Sequence, residues 1–109
     1  MTAAARSSSE RVPAFTQPLD RPAAEALAHT LKLVADPTRL QLLSMIDGSP
    51  GGEVTVGELA EHLGLRQPTI SHHLRMLFED GLLEREPRGR HVWYWIAADR
   101  REAIVDLLR

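Results

Sequence analysis

The chain has 109 residues, a formal net charge of −2 and no cysteine. This length suits one domain, and the lack of cysteine excludes disulfides, thiolate metal sites and thiol redox sensing. Because no apolar run approaches the roughly 18 residues of a membrane span and no signal-peptide core is visible, we expect a cytoplasmic protein.

The N-terminal segment, residues 1–19, is rich in Ala, Ser, Arg and Pro. Such a segment has little apolar surface to bury, so we predict a flexible arm. The folded domain is predicted to comprise residues 20–109. Asp20 can cap its first helix, and Pro22 suits the first turn of that helix. Pro37 breaks this helix and begins a second one.

Two helices in the middle of the chain are separated by a short turn. The first begins at Thr55, which forms a capping box with Glu58, and it ends at Gly64. The second begins within about three residues, with Pro68 in its first turn, and Gly81 can end it. This spacing predicts a helix-turn-helix, in which the second helix contacts DNA bases.

The second of these helices has two contrasting faces. Its apolar residues recur at helical spacing: Ile70, Leu74, Leu77 and Phe78. Its opposite face is polar and rich in hydrogen-bond donors: Gln67, Ser71, His72 and Arg75. The simpler interpretation is that this polar face is an ordinary solvated surface. However, the segment from Gly64 to Phe78 contains no acidic residue, although the net charge of the chain is negative. A local basic face steers DNA even when the whole chain is acidic.

Two β-prone runs follow, on either side of the turn signal Pro87-Arg88-Gly89-Arg90. They predict a β-hairpin, with a short strand at residues 53–55 beside it. Arg88 and Arg90 at the hairpin tip would reach phosphates or a minor groove, as the wing of a winged helix does. The alternative is that these arginines only keep the turn soluble.

A last helix is predicted over residues 99–109. The fold class is therefore mostly α with a small β-hairpin, in the order ααβααββα, a winged helix-turn-helix. A small domain buries a modest core, so the apolar faces of the first and last helices predict a homodimer. The predicted interface residues are Leu27, Leu31, Ile104, Leu107 and Leu108.

Four motifs in the right order carry a resemblance to a known family. They are residues 35–43 (ADPTRLQLL), 67–74 (QPTISHHL), 81–83 (GLL) and 89–94 (GRHVWY). They resemble the ArsR/SmtB family of bacterial winged-helix regulators. The resemblance implies homodimers that bind palindromic operators and leave when an inducer, usually a metal, binds. With the family's DNA-reading positions included, the expected DNA-binding residues are Arg66, Gln67, Thr69, Ser71, His72, Arg75, Arg88 and Arg90.

The chain departs from the family at both of its usual metal-sensing sites. Thr55 and Gly57 replace a Cys-x-Cys pair, and the last helix contains no histidine. His62 and Glu58 could form half of a nickel or zinc site, but a solvated surface pair is the commoner arrangement. We therefore expect neither a metal nor another cofactor.

Two functions of different classes remain open. The first is a sequence-specific transcriptional regulator that binds a DNA operator as a dimer. The second is a winged-helix interaction module or co-regulator that acts with a separate sensor partner, and a nickel- or zinc-linked sensor is one option for that partner. Exposed Trp93 and Trp95 could anchor it. No catalytic constellation is visible, so we predict no enzyme. The inducer, the operator sequence and the choice between repression and activation are not encoded in any recognisable motif.

Overall fold

The computed structural model describes residues 15–109, and the first part of the predicted arm, residues 1–14, lies outside this range. Its helices and strands are α1 (Arg21–Val34), α2 (Pro37–Asp47), β1 (Glu53–Thr55), α3 (Val56–Leu63), α4 (Gln67–Glu79), β2 (Leu83–Arg88), β3 (His91–Ile96) and α5 (Arg101–Leu107). The predicted order ααβααββα and the winged helix-turn-helix class are confirmed. Within residues 15–109, none of the helices combines the length and apolar character that crossing a membrane requires.

Local sequence signals set the beginnings of the helices. The Asp20 side chain accepts a hydrogen bond of 2.9 Å from the backbone N–H of Ala23 and so caps α1. At α3 the predicted capping box is present. The Thr55 N–H donates to Glu58 Oε1 at 2.9 Å, and the Glu58 N–H donates to Thr55 Oγ1 at 3.3 Å. Gly64 ends α3 with φ of 68°, a left-handed conformation that glycine adopts without steric cost.

The three strands form one antiparallel sheet in the order β1-β3-β2. The hairpin turn is tighter than predicted, because Pro87 and Arg88 belong to β2 and pair with Val92 and His91. Only Gly89 and Arg90 connect the strands, and Gly89 has φ of 62°. A two-residue turn requires positive φ at its centre, which explains why glycine is the residue found there.

One hydrophobic core joins the helices to the inner face of the sheet. Its fully buried side chains are Leu42, Leu43, Ile46, Leu59, Ile70, Leu74, Leu77, Leu82 and Leu83. In α2 the structure buries Leu42, Leu43 and Ile46 and leaves Leu40 at the surface. The last helix is shorter than predicted, because α5 begins only at Arg101 and has no side-chain cap.

Candidate nucleic-acid interface

The helix α4 has a buried side and a polar exposed side, as its sequence indicates. Ile70, Leu74 and Leu77 are completely buried in the core. The predicted DNA-contacting residues of the opposite side are Arg66, Gln67, Thr69, His72 and Arg75, which are exposed, and Ser71, which is partly exposed. Core packing therefore fixes which side of α4 faces solvent, and that side contains donors and acceptors suited to base edges and phosphates.

The first turn of α4 lies against the start of α3. A Cβ added to Gly57 would lie 3.8 Å from Nε2 of Gln67, so the two helices are in close contact there. After α3, the N–H of Leu65 donates to the carbonyl of Ala60 at 3.2 Å, which closes the connecting turn. This packing holds the N-terminal end of α4, and with it Gln67, at the surface.

A groove of about 280 Å³ separates the N-terminal half of α4 from the hairpin. Gln67 and Ser71 line it on the α4 side, and Arg90, His91 and Val92 line it on the hairpin side. The fold thus brings together a glutamine, a hydroxyl and a guanidinium that come from separate sequence motifs. Arg90 forms no ion pair with any residue of the described range 15–109.

Arg88 lies in a different environment from Arg90, although the sequence places both near the hairpin tip. Its guanidinium is 2.8 Å from Glu53 and 2.5 Å from Glu86. These two hydrogen-bonded carboxylates raise the pKa of Arg88 above its ordinary value. The guanidinium carbon also lies 5.5 Å from the ring centroid of Trp93 and 5.9 Å from that of Trp95. The charge of Arg88 is therefore compensated within the chain.

The two tryptophans lie under this arginine and are only partly exposed. The indole N–H of Trp95 donates to Glu84 Oε1 at 3.0 Å. The outer face of the sheet thus forms a small network of carboxylates, arginine and indole rings. This arrangement weakens the idea that Trp93 and Trp95 are free anchors for a partner protein.

Two arginines that were not recognised from the sequence make side-chain contacts with α4. Arg39 of α2 hydrogen-bonds with His73 Nδ1 at 3.2 Å and donates to Met76 Sδ at 3.8 Å. Arg85 of β2 lies 4.0 Å from the centre of the Phe78 ring, a cation–π contact. Arg39 lies in the motif of residues 35–43, but neither arginine has these partners close to it in the sequence. Each is recognisable only from the fold that brings its partners close.

The histidine pair on α4 is divided between solvent and interior. His72 is exposed, whereas His73 is partly buried. Burial lowers the pKa of His73 below its ordinary value; the negative charge of Asp36 opposes this in part, and the positive charge of Arg39 adds a smaller lowering effect. His73 is thus neutral at pH 7 and can accept the hydrogen bond from Arg39.

The predicted dimer residues fall into two groups. Leu27, Leu31 and Leu107 are 47%, 46% and 55% exposed and line an apolar groove of about 330 Å³ between α1 and α5. Ile104 is 3% exposed and belongs to the core of the single chain, and Leu108 packs partly against that core. Ile104 also lines the groove between α1 and α5, so its place in a dimer interface stays a prediction. A helix as short as α5 directs its central apolar residue inward.

The two positions that replace cysteine have structural roles. Thr55 caps α3, and Gly57 has no side chain that could bind an ion. Glu58, the proposed half-site partner of His62, directs Oε1 to both the N–H and the hydroxyl of Thr55. Within residues 15–109, no three His, Cys, Asp or Glu side chains are grouped so that they could hold a metal ion.

Comparison with known proteins points to one family. The sequence pattern described as "Bacterial regulatory protein, arsR family" matches residues 36–85, from the start of α2 into β2. The transcriptional repressor SdpR of Bacillus subtilis is 33% identical over 66 residues, which are 61% of this chain and 70% of SdpR. The transcriptional activator HlyU of Vibrio cholerae is 33% identical over 96 residues, 88% of this chain and 85% of HlyU.

Solved structures agree with these sequence relatives. The structure of HlyU from Vibrio cholerae superposes with a TM-score of 0.71 at 31% identity, over 83% of this chain and 94% of that one. A homodimeric winged helix-turn-helix DNA-binding domain from Mycobacterium bovis superposes with a TM-score of 0.67 at 29% identity. That match covers 86% of this chain and 83% of the domain.

Proposed function

Since this chain belongs to the ArsR family of bacterial regulatory proteins, we propose that it controls transcription by binding a palindromic DNA operator as a homodimer. Membership makes the chain a winged-helix, DNA-binding transcriptional regulator and not an enzyme. The symmetry of the operator, the residues that contact it and the signal that releases it are the proposed part.

The exposed side of α4 enters the major groove and reads bases. Gln67 and Ser71 lie on the side of the groove that faces Arg90, and their side chains offer the donors and acceptors that distinguish base edges. Arg66, Thr69, His72 and Arg75 are exposed around them and contact phosphates or neighbouring bases. The buried side of α4 is fixed in the core, so the reading residues are presented on a rigid element.

The hairpin acts as the wing through Arg90. This residue has no ion-pair partner within residues 15–109 and shares a groove with Gln67 and Ser71, so its charge is available to a phosphate. Arg88 was expected to act beside it, but two carboxylates already compensate its charge. We assign the phosphate contact of the wing to Arg90 and a structural role to Arg88.

The dimer forms through the exposed leucines of α1 and α5. Leu27, Leu31 and Leu107 surround an apolar groove, and water contact with these side chains is unfavourable. A related domain from Mycobacterium bovis is described as homodimeric. Two subunits would place two copies of α4 about one DNA turn apart, roughly 34 Å, which matches the spacing of palindromic half-sites.

The signal does not act through either of the family's usual metal sites. The described residues lack a third-helix thiolate pair and a histidine in α5, and Glu58 of α3 is engaged in the cap of its own helix. We propose that a separate sensor partner controls this regulator. The relatives include one protein named a repressor and one named an activator, so the effect on transcription depends on where the operator lies relative to the promoter.

The observation that carries the proposal is the groove that joins Gln67, Ser71 and Arg90. Selection of binding sites from random double-stranded DNA tests it. We expect enrichment of a palindrome whose half-sites are centred about 10 base pairs apart. Gln67→Ala should then weaken binding by about 1–3 kcal/mol and relax selection at one base position. Gln41→Ala, the same change at an exposed position of α2, is the matched control.

Selection that enriches no sequence, although the protein is folded, would contradict sequence-specific binding. Enrichment that persists unchanged with Gln67→Ala would show that α4 binds DNA through other residues. Enrichment of single, asymmetric sites would contradict the palindromic operator.

A further inference from the structure

A cleft of about 220 Å³ lies between α1 and the C-terminal half of α4. Leu33 on α1 and Met76 on α4 line it, and polar side chains join the helices beside it. These contacts matter because α1 is the proposed dimer helix and α4 is the proposed reading helix.

The first contact is made by Asp80, the residue that follows α4. Its Oδ2 accepts a hydrogen bond of 2.8 Å from the hydroxyl of Thr30, and its Oδ1 lies 3.3 Å from Nε2 of His29. The Asp80 side chain is only 11% exposed, so water competes weakly for these contacts. The C-terminal end of α4 is thereby attached to the middle of α1.

The second contact is made by Arg39, from the first turn of α2. Its Nε donates to the carbonyl of Leu33 at 2.5 Å, in the last turn of α1, where backbone carbonyls have no partner within the helix. Its Nη1 lies 3.2 Å from Nδ1 of His73 and 3.8 Å from Sδ of Met76, both on α4. The planar guanidinium holds all three groups in one geometry, which a lysine cannot do.

We propose that Arg39 and Asp80 are positioning residues for DNA binding, which hold α4 at a fixed place relative to α1 and so set the half-site spacing that the dimer accepts. The inference rests on the proposed function, because it needs a dimer through α1 and base reading by α4. Neither residue has to touch DNA. In a two-fold dimer, the distance between the two copies of α4 follows from how firmly each is attached to its own α1.

The experiment measures affinity for the selected operator and for versions with one base pair added to or removed from the spacer. Arg39→Met removes the guanidinium at similar length, and Thr30→Val removes one hydrogen-bond donor without changing shape. Lys32→Met is the matched control, because it removes the same charge from an exposed position of α1. Binding to an unrelated duplex at the same salt concentration measures the non-specific component.

We expect the wild-type protein to prefer one spacing strongly. With Arg39→Met, affinity for the best operator should fall about tenfold and the preference among spacings should shrink by a similar factor. Thr30→Val should show the same pattern at about threefold. Binding to the unrelated duplex should not change, and Lys32→Met should behave as the wild type. Loss of stability alone would lower affinity for all three spacings equally.

Urea unfolding identifies variants that are not folded, and Arg39→Lys replaces Arg39→Met if that variant is unfolded. If folded Thr30→Val and the folded Arg39 variant keep the wild-type preference among spacings, the positioning role is wrong. If the wild-type protein binds its operator but shows no preference among spacings, the dimeric arrangement itself is wrong and the inference fails with it.

Discussion

The different environments of Arg88 and Arg90 lead to a quantitative prediction. Each phosphate neutralised by a protein charge contributes about 0.9 to the slope of log affinity against log salt concentration. A dimer has two wings, so Arg90→Ala should reduce the magnitude of this slope by about 1.8. Arg88→Ala should leave the slope unchanged, because Glu53 and Glu86 already hold its guanidinium. The two changes remove the same charge from the same hairpin, so each is the control for the other.

Fluorescence anisotropy of a labelled operator, measured over a series of salt concentrations, gives both slopes. Removing the negative charges that hold Arg88 is also informative. Glu53→Gln combined with Glu86→Gln should free Arg88 and increase the magnitude of the slope, whereas Glu84→Gln, next to Trp95, should not. If Arg88→Ala flattens the slope as much as Arg90→Ala does, Arg88 leaves its carboxylates when DNA binds and our assignment is wrong. If neither variant changes the slope, the wing does not contact phosphates.

Three further predictions concern the dimer, the pH response and metals. Leu27→Asp with Leu31→Asp should give folded monomers by sedimentation equilibrium that do not bind the operator; a variant that remains dimeric would move the interface elsewhere. Because burial lowers the pKa of His73, its contribution to stability is complete above about pH 6.5 and is lost as the pH falls from there towards its folded-state pKa. Urea unfolding at roughly pH 7.5 and 5.5 should therefore show a larger loss of unfolding free energy for the wild type than for His73→Asn. The asparagine keeps an acceptor facing Arg39 but does not titrate. Equal losses would contradict the assignment of the pH response to His73. Micromolar nickel or zinc should change operator affinity by less than about fivefold in an anisotropy titration, and release by about a hundredfold would reveal a metal site formed between subunits.

Much of the fold could be predicted because its signals are local. Thr55 and Glu58 are three residues apart, and their capping box defines the start of α3 before any tertiary contact is considered. Gly64 and Pro68 mark the end of one helix and the start of the next in the same way. The side of α4 that faces solvent followed from helical periodicity, since four apolar residues at helical spacing can be buried together on only one side.

The features that the sequence could not predict concern residues whose environment depends on distant parts of the chain. Arg88 pairs with Glu53, which is 35 positions away, and only the antiparallel arrangement of β1, β3 and β2 brings them together. Ile104 looked equivalent to Leu107, but α5 is so short that one of these residues faces the core and the other faces solvent. Arg39 lies in one of the recognised motifs, but its contacts could not be predicted because its partners lie in two other helices.

The distribution of charge explains how an acidic chain can bind DNA selectively. The carboxylates of Glu53 and Glu86 lie on the outer face of the sheet, where they compensate Arg88, while Arg90 lines the groove shared with Gln67. Of the two arginines near the hairpin tip, Arg90 alone is left for a phosphate, so the wing of one subunit should add little non-specific affinity and only about 0.9 to the salt slope. In the proposed dimer, base contacts are made twice, once by each subunit, and these contacts supply the selectivity. A regulator of this kind depends on its dimer and on the exact placement of α4, which is why contacts between α1 and α4 matter more here than in a strongly basic protein.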